Sequence, residues 1–200
     1  MSKKKLITPE ELDNLISVGD PQISPDGSQI LYTRKSVKDG VNNRTIWVTP
    51  TKGVKKPREL TTNGKDGMPR WSPDGAQFAF VRSGKSGAQI YTIDMDGGEA
   101  QQLTDFPEGS ISDMQWSPES DTLAVSYRQT EEVHTNAAAE KRKETKESDP
   151  PIITESAWYR LDGDGYFGHA RYQLYIVDIT TGECKNIWSK NQEPGQFQGH

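Results

Sequence analysis

The chain is poor in the residues that usually announce a chemistry. It has a single cysteine, Cys184, among 200 residues, so no internal disulfide can form and a reducing compartment fits. In a strand-like stretch that cysteine reads as a half-buried packing residue. Long apolar runs are also missing. Mean hydropathy is -0.84, and the longest runs, such as Phe78-Ala79-Phe80-Val81, are strand-sized. A spanning helix needs ~20 apolar residues, so no membrane span is expected. There is no positive excess either. A formal net charge of -5 gives no reason to expect nucleic acid or an anionic membrane as partner. Met1 to Lys5 resembles the start of an export signal, but Glu10, Glu11 and Asp13 stand where its apolar region should be. A cytoplasmic location is the expectation. The three histidines, His134, His169 and His200, are scattered, and no Cys/His cluster has zinc spacing. No glycine-rich loop opens a helix where phosphate could bind. Neither a metal nor a cofactor is expected.

What the chain does have is internal repetition. Three segments align: Pro21-Gln-Ile-Ser-Pro-Asp-Gly-Ser-Gln-Ile-Leu-Tyr32, Pro69-Arg-Trp-Ser-Pro-Asp-Gly-Ala-Gln-Phe-Ala-Phe80, and Met114-Gln-Trp-Ser-Pro-Glu-Ser-Asp-Thr-Leu-Ala-Val125. Their shared prolines, Pro25, Pro73 and Pro118, recur at intervals of about 45 to 48 residues. A second series follows in the same order: Ile46-Trp47-Val48, Ile90-Tyr91-Thr92, and Leu174-Tyr175-Ile176. A third is Arg58-Glu59-Leu60-Thr61, Gln101-Gln102-Leu103-Thr104, and Lys185-Asn186-Ile187-Trp188.

Ser-Pro-Asp-Gly is turn chemistry. Proline presets φ, Asp bonds its own backbone, and Gly takes the left-handed conformation that closes a short hairpin. The flanks alternate apolar and polar, with β-branched and aromatic residues, which is strand periodicity. Each repeat thus holds four short strands, at roughly 21–24, 29–35, 44–49 and 57–61 in the first. The fold class expected is all-β: a partial β-propeller of about three four-stranded blades with a short N-terminal helix. A β-sandwich is the competing architecture, but it has no reason to repeat its turn sequence at this interval. Residues 1–20 form a helical lead-in and 21–200 an incomplete propeller, with blades near 21–64, 69–106 and 112–190.

Two segments fall outside the repeat. Thr8-Pro9-Glu10-Glu11-Leu12 opens a short helix, with Thr8 as N-cap and Glu11 closing a capping box; Leu12, Leu15 and Ile16 would be its buried stripe. Residues 129–172 form an insertion between the second and third strands of the third blade. From Glu131 to Asp149 it is charge-dense and reads as a solvated helix or loop ended by Pro150-Pro151. Its second half is aromatic, with Trp158, Tyr159, Tyr166, Phe167 and Tyr172 around Asp162-Gly-Asp-Gly165. That last run begins like a calcium loop, but Tyr166 takes the third acidic position and no bidentate Glu follows, so a Gly-Asp turn is expected. The aromatics have two readings, packing beneath the insertion or lining a route to an active site.

The Trp-Ser-Pro-Asp-Gly repeat resembles the TolB-like propeller family. That family includes a periplasmic scaffold protein and the propellers of prolyl-oligopeptidase-type serine peptidases. Ile7-Thr-Pro-Glu-Glu-Leu12 followed by Val18-Gly-Asp-Pro-Gln-Ile-Ser-Pro-Asp-Gly27 looks like the opening of acylaminoacyl-peptidase-like members. Trp158-Tyr-Arg-Leu-Asp-Gly-Asp-Gly-Tyr-Phe-Gly168 before Leu174-Tyr-Ile-Val-Asp178 resembles their third-blade insertion. The resemblance implies a non-catalytic propeller that gates peptide access to a downstream α/β-hydrolase domain carrying Ser, Asp and His. Nothing here matches that domain, so no catalytic residue is assigned and the chain alone is expected to be inactive. A nucleophile elbow needs Gly-x-Ser-x-Gly on a strand-turn-helix. Gly84-Lys85-Ser86-Gly87-Ala88 lacks the final glycine and sits in an expected hairpin. Peptide substrate and the hydrolase domain are thus the expected partners. Three blades would leave open faces, so the chain is expected to be a fragment of a longer ring. The alternatives are a non-enzymatic TolB-like scaffold for protein binding and a three-blade unit that completes its ring as a homo-oligomer.

Overall fold

The computed structural model describes residues 8–53, 55–154, 160–162, 165–166 and 169–187. Trp158, Tyr159, Phe167, Trp188 and His200 lie outside them, as do Gly163 and Asp164 of the Gly-Asp turn. Three four-stranded antiparallel sheets follow one another in sequence. The first contains β1 (Ser17–Ile23), β2 (Gln29–Lys38), β3 (Val41–Pro50) and β4 (Arg58–Glu59). The second contains β5 (Asp66–Trp71), β6 (Gln77–Gly84), β7 (Gly87–Asp94) and β8 (Gln101–Gln102). In the third, β9 (Gly109–Trp116) pairs with β10 (Thr122–Gln129), which pairs with β13 (Gln173–Asp178) and then β14 (Cys184–Asn186). Between β10 and β13 the chain forms a 3-10 turn (Glu132–His134), α1 (Asn136–Thr145) and a small hairpin of β11 (Arg160–Leu161) and β12 (Gly165–Tyr166).

The Ser-Pro-Asp-Gly turn forms as its chemistry requires. Ser24 Oγ donates to Asp26 Oδ1 at 2.6 Å, Gly27 N–H donates to the Ser24 carbonyl, and Gly27 sits at φ 71°. Ser72, Asp74 and Gly75 repeat the arrangement, with φ 72° at the glycine. The third turn reaches the same end differently. Ser120 takes the positive φ, 62°, and the serine hydroxyl of Ser117 donates to Asp121, two residues beyond the expected position.

Stacking explains the strand patterns. Leu31, Ile46 and Val48 of the first sheet meet Phe78, Phe80 and Ile93 of the second. From the other face of the second sheet, Ala79, Val81, Ala88 and Ile90 meet Met114, Leu123, Val125, Tyr127 and Val177 of the third. Among the described residues, only β6, sandwiched between two neighbours, has four successive apolar residues that are all buried, Phe78 to Val81. The outer strands β2 and β10 alternate instead: Leu31 and Thr33 are buried while Ile30 and Tyr32 are half-exposed, and Leu123 and Val125 are buried while Ala124 and Ser126 are half-exposed. A period of two marks a sheet covered on one face.

Three expectations are corrected. The N-terminal helix is a 3-10 helix, Pro9–Asn14, and it stops before Leu15 and Ile16, which are 62% and 55% exposed rather than buried. The chain becomes extended at once, so β1 starts at Ser17, inside the stretch read as lead-in. Likewise β2 and β3 run longer than read, because Asp39 (φ 53°) and Gly40 (φ 72°) make a tight two-residue hairpin turn between them. Finally, α1 ends at Lys146, which adopts φ 58°, ahead of Pro150-Pro151.

Candidate functional site

The innermost strands β1, β5 and β9 lie side by side, and an indole bond joins each to the next. Trp71 Nε1 donates to the Gln22 carbonyl at 3.1 Å, and Trp116 Nε1 to the Arg70 carbonyl at 2.9 Å. Gln22 and Arg70 occupy equivalent repeat positions, so the tryptophan of the repeat ties its own sheet to the one before. The Arg70 guanidinium crosses the same seam. Its Nη1 lies 3.0 Å from both oxygens of Asp20, and its Nη2 lies 3.4 Å from Asp113 Oδ1. One cation thus joins carboxylates from the first and third sheets. Sequence reading missed this, since the three residues are some fifty positions apart and the strand registers shift beside Asp20 and Arg70.

Around the β2–β3 and β6–β7 hairpins lie two adjoining clefts, an inner one that Gly109, Ser110 and Ile111 of the third sheet also line and an outer one between the first and second sheets. Their volumes are about 430 and 670 Å³, and Lys35, Arg44, Ser83 and Gly84 form their common wall. Arg82 seals the outer side of the second sheet. It grips the fully buried Asp66 at 2.7 and 3.0 Å and covers the Tyr91 ring at 4.4 Å; the hydrogen bond to Asp66 raises its pKa further.

The insertion is anchored to this rim. Glu131 accepts from the backbone N–H groups of His169 and Ala170 at 2.6 and 3.0 Å, closing the neck. Although its partial burial pushes the carboxyl up, these two donors pull it net below the usual range. Asn136 donates to the Lys85 carbonyl and to Glu108, fixing the start of α1 beside the β6–β7 hairpin. Tyr172 hydrogen-bonds Ser110 and is covered by Arg128. Tyr127 stacks on Phe106 and donates to the Pro107 carbonyl at 2.6 Å; burial pushes its phenol up to about 12.

The remaining sequence candidates are not brought together. Ser86 occupies the tip of the β6–β7 hairpin, not a strand-turn-helix. His134 ends the 3-10 turn and His169 lies in the insertion neck. Asp162 sits in the turn between β11 and β12. Cys184 is half-buried in β14, and burial pushes its thiol up.

Repeating sheets, indole staples and turns all belong to one architecture, and comparison with known proteins agrees. Residues 12–158 match the family described as TolB beta propeller domain. The chain belongs to the TolB β-propeller family. Among curated proteins it is 35% identical over 199 residues to "Uncharacterized peptidase YuxL" of Bacillus subtilis, covering 96% of this chain and 29% of that protein. This TolB-type chain therefore spans under a third of that relative's length. Among solved structures, the Pyrococcus horikoshii acylaminoacyl peptidase superposes with a TM-score of 0.67 at 18% identity, over 86% of this chain and 25% of its own. TolB from Acinetobacter baumannii superposes with a TM-score of 0.53 at 19% identity, over 86% and 33%. Likeness at such identities shows the fold. Among the described residues, no helix is long and apolar enough to cross a membrane.

Proposed function

We propose that this chain is the N-terminal, non-catalytic propeller part of a cytoplasmic serine peptidase of the prolyl-oligopeptidase or acylaminoacyl-peptidase type. In this reading an α/β-hydrolase domain, carried outside these 200 residues, performs acyl transfer from a serine. The propeller limits which peptides reach it. The observation that carries the reading is the 35% identity to a peptidase across nearly the whole chain but only 29% of that protein. In this reading the hydrolase domain packs against the insertion, which Glu131 and Asn136 anchor beside the β6–β7 hairpin. No side chain of this chain takes a chemical step in the mechanism. Its contribution is steric and electrostatic: a rigid wall of stacked sheets, and a rim whose clefts and charges select the peptide.

The test compares the intact protein with the 200-residue chain on N-acylated short peptides. Hydrolysis by the first, abolished by a serine-reactive inhibitor, and none by the second is the expected result. Hydrolysis by the 200 residues alone, blocked by the same inhibitor, would defeat the reading. An intact protein that hydrolyses nothing would favour a binding scaffold instead.

A further inference from the structure

The wall between the two clefts carries an unusual charge pairing. Lys35 on β2 and Arg44 on β3 stand directly opposite each other in the ladder. Like charges facing across strands destabilise a sheet, and proteins ordinarily place an opposite charge there. Lys65 joins them, because its backbone bridges to Arg44 at the entry to β5. Among the described residues, no carboxylate lies within ion-pairing distance of Lys35, Arg44 or Lys65. Arg44 makes one side-chain bond, to Ser83 Oγ at 3.3 Å. Asp20, which also lines the inner cleft, is already held by Arg70.

A second observation is independent of charge. Thr33 stands two residues before Lys35 on the same face of β2 and lines the inner cleft. It is only 4% exposed, yet its hydroxyl has no hydrogen-bond partner. Burying a hydroxyl without a partner is costly, and such groups are rare. Gly67 lies beside it, where an added Cβ would stand 3.9 Å from the hydroxyl, so β5 brings no side chain against it from that position. The repeat supplies a comparison. At the matching positions of the second sheet stand Ser83 and Ala88, both uncharged. The cationic wall belongs to this gap and not to the repeat as such.

We propose that the two adjoining clefts bind a carboxylate-bearing peptide, with Lys35 and Arg44 of their common wall and Lys65 of the outer cleft as counter-charges and Thr33 Oγ1 of the inner cleft as a buried hydrogen-bond donor. An oxyanion ligand satisfies both anomalies at once: it neutralises the facing cations and accepts the idle hydroxyl proton. The anion site stands on the geometry alone; the choice of a peptide as its source rests on the peptidase reading.

The experiment is calorimetric titration of the intact protein with tetraglutamate, tetraglutamine and inorganic phosphate. It is run on the natural sequence, on the Lys35→Gln/Arg44→Gln double variant, and on Thr33→Val. Tetraglutamate should bind in preference to tetraglutamine, and the double variant should weaken it by about tenfold or more. Thr33→Val should also weaken binding while leaving thermal stability unchanged or raised, which a purely structural threonine would not do. Equal tetraglutamate affinity in all three proteins would overturn the site. Phosphate binding that depends on Lys35 and Arg44, with no preference for the peptide, would overturn the peptide assignment. Peptide hydrolysis measured on the same samples separates the two readings. Activity without charge-dependent binding defeats only this inference, and charge-dependent tetraglutamate binding without activity defeats only the peptidase assignment.

Discussion

Asp26, Asp74 and Asp121 do the same work in three turns, each accepting from the serine that opens its turn. Those hydrogen bonds, from the serine hydroxyl first, hold all three carboxyls below the usual range, and Asp26 at about 2. A pKa lower in the folded than in the unfolded chain, near 3.9, stabilises the fold above about pH 4. That contribution is lost as pH falls from about 4 through the folded values toward 2. Thermal unfolding between pH 2 and 5 should therefore show a shallower acid slope for Asp74→Asn than for the natural sequence; identical slopes would contradict this origin. At Gly75 the backbone, not space, is limiting: an added Cβ would meet only Pro25 at 3.6 Å, but φ is 72°. Gly75→Ala should cost about 1 kcal/mol, measured by denaturant unfolding. The first two turns were legible residue by residue. In the third, Glu119 occupies the Asp position, and only the structure shows Asp121 supplying the carboxylate.

At the scale of the element, the recurring Leu-Thr explains why the fourth strands are so short. Leu60 N–H donates to the Ile46 carbonyl, while the Thr61 hydroxyl accepts from Ile46 N–H; Leu103 and Thr104 repeat this on Ile90. A side chain thus completes the ladder after two paired residues. The sequence showed that the motif recurs, but not that a hydroxyl replaces a strand bond. The long β2–β3 hairpin escaped reading although Asp39-Gly40 is a strong turn signal, because the flanking residues, from Ser36 to Asn43, are mostly polar and lack alternation. The indole staples give a direct prediction. Trp116→Phe keeps the ring packing but leaves the Arg70 carbonyl without its donor, and should cost about 1–3 kcal/mol in equilibrium unfolding. The two-sided burial of β6 gives another. Phe80→Ala should cost about 3–5 kcal/mol, while Tyr32→Ala, at the equivalent position on the open face of the first sheet, should cost clearly less.

The whole molecule is a stack of three sheets held by two apolar seams and by one arginine that reaches all three. The repeat interval made the stack predictable. The arginine was not, because its partners meet only after two seams have closed. The outer faces, with Ile23 65% exposed at the position where the later repeats place tryptophan, are the surfaces that further blades would cover in the peptidase reading. The most direct test of that reading is to label the intact protein with a fluorophosphonate, which reacts with activated serines, and map the modified residue by mass spectrometry. The account predicts a single labelled serine outside residues 1–200, with labelling and peptide hydrolysis lost together when it is replaced. A labelled serine inside these residues, such as Ser86, or no labelled serine at all, would contradict it.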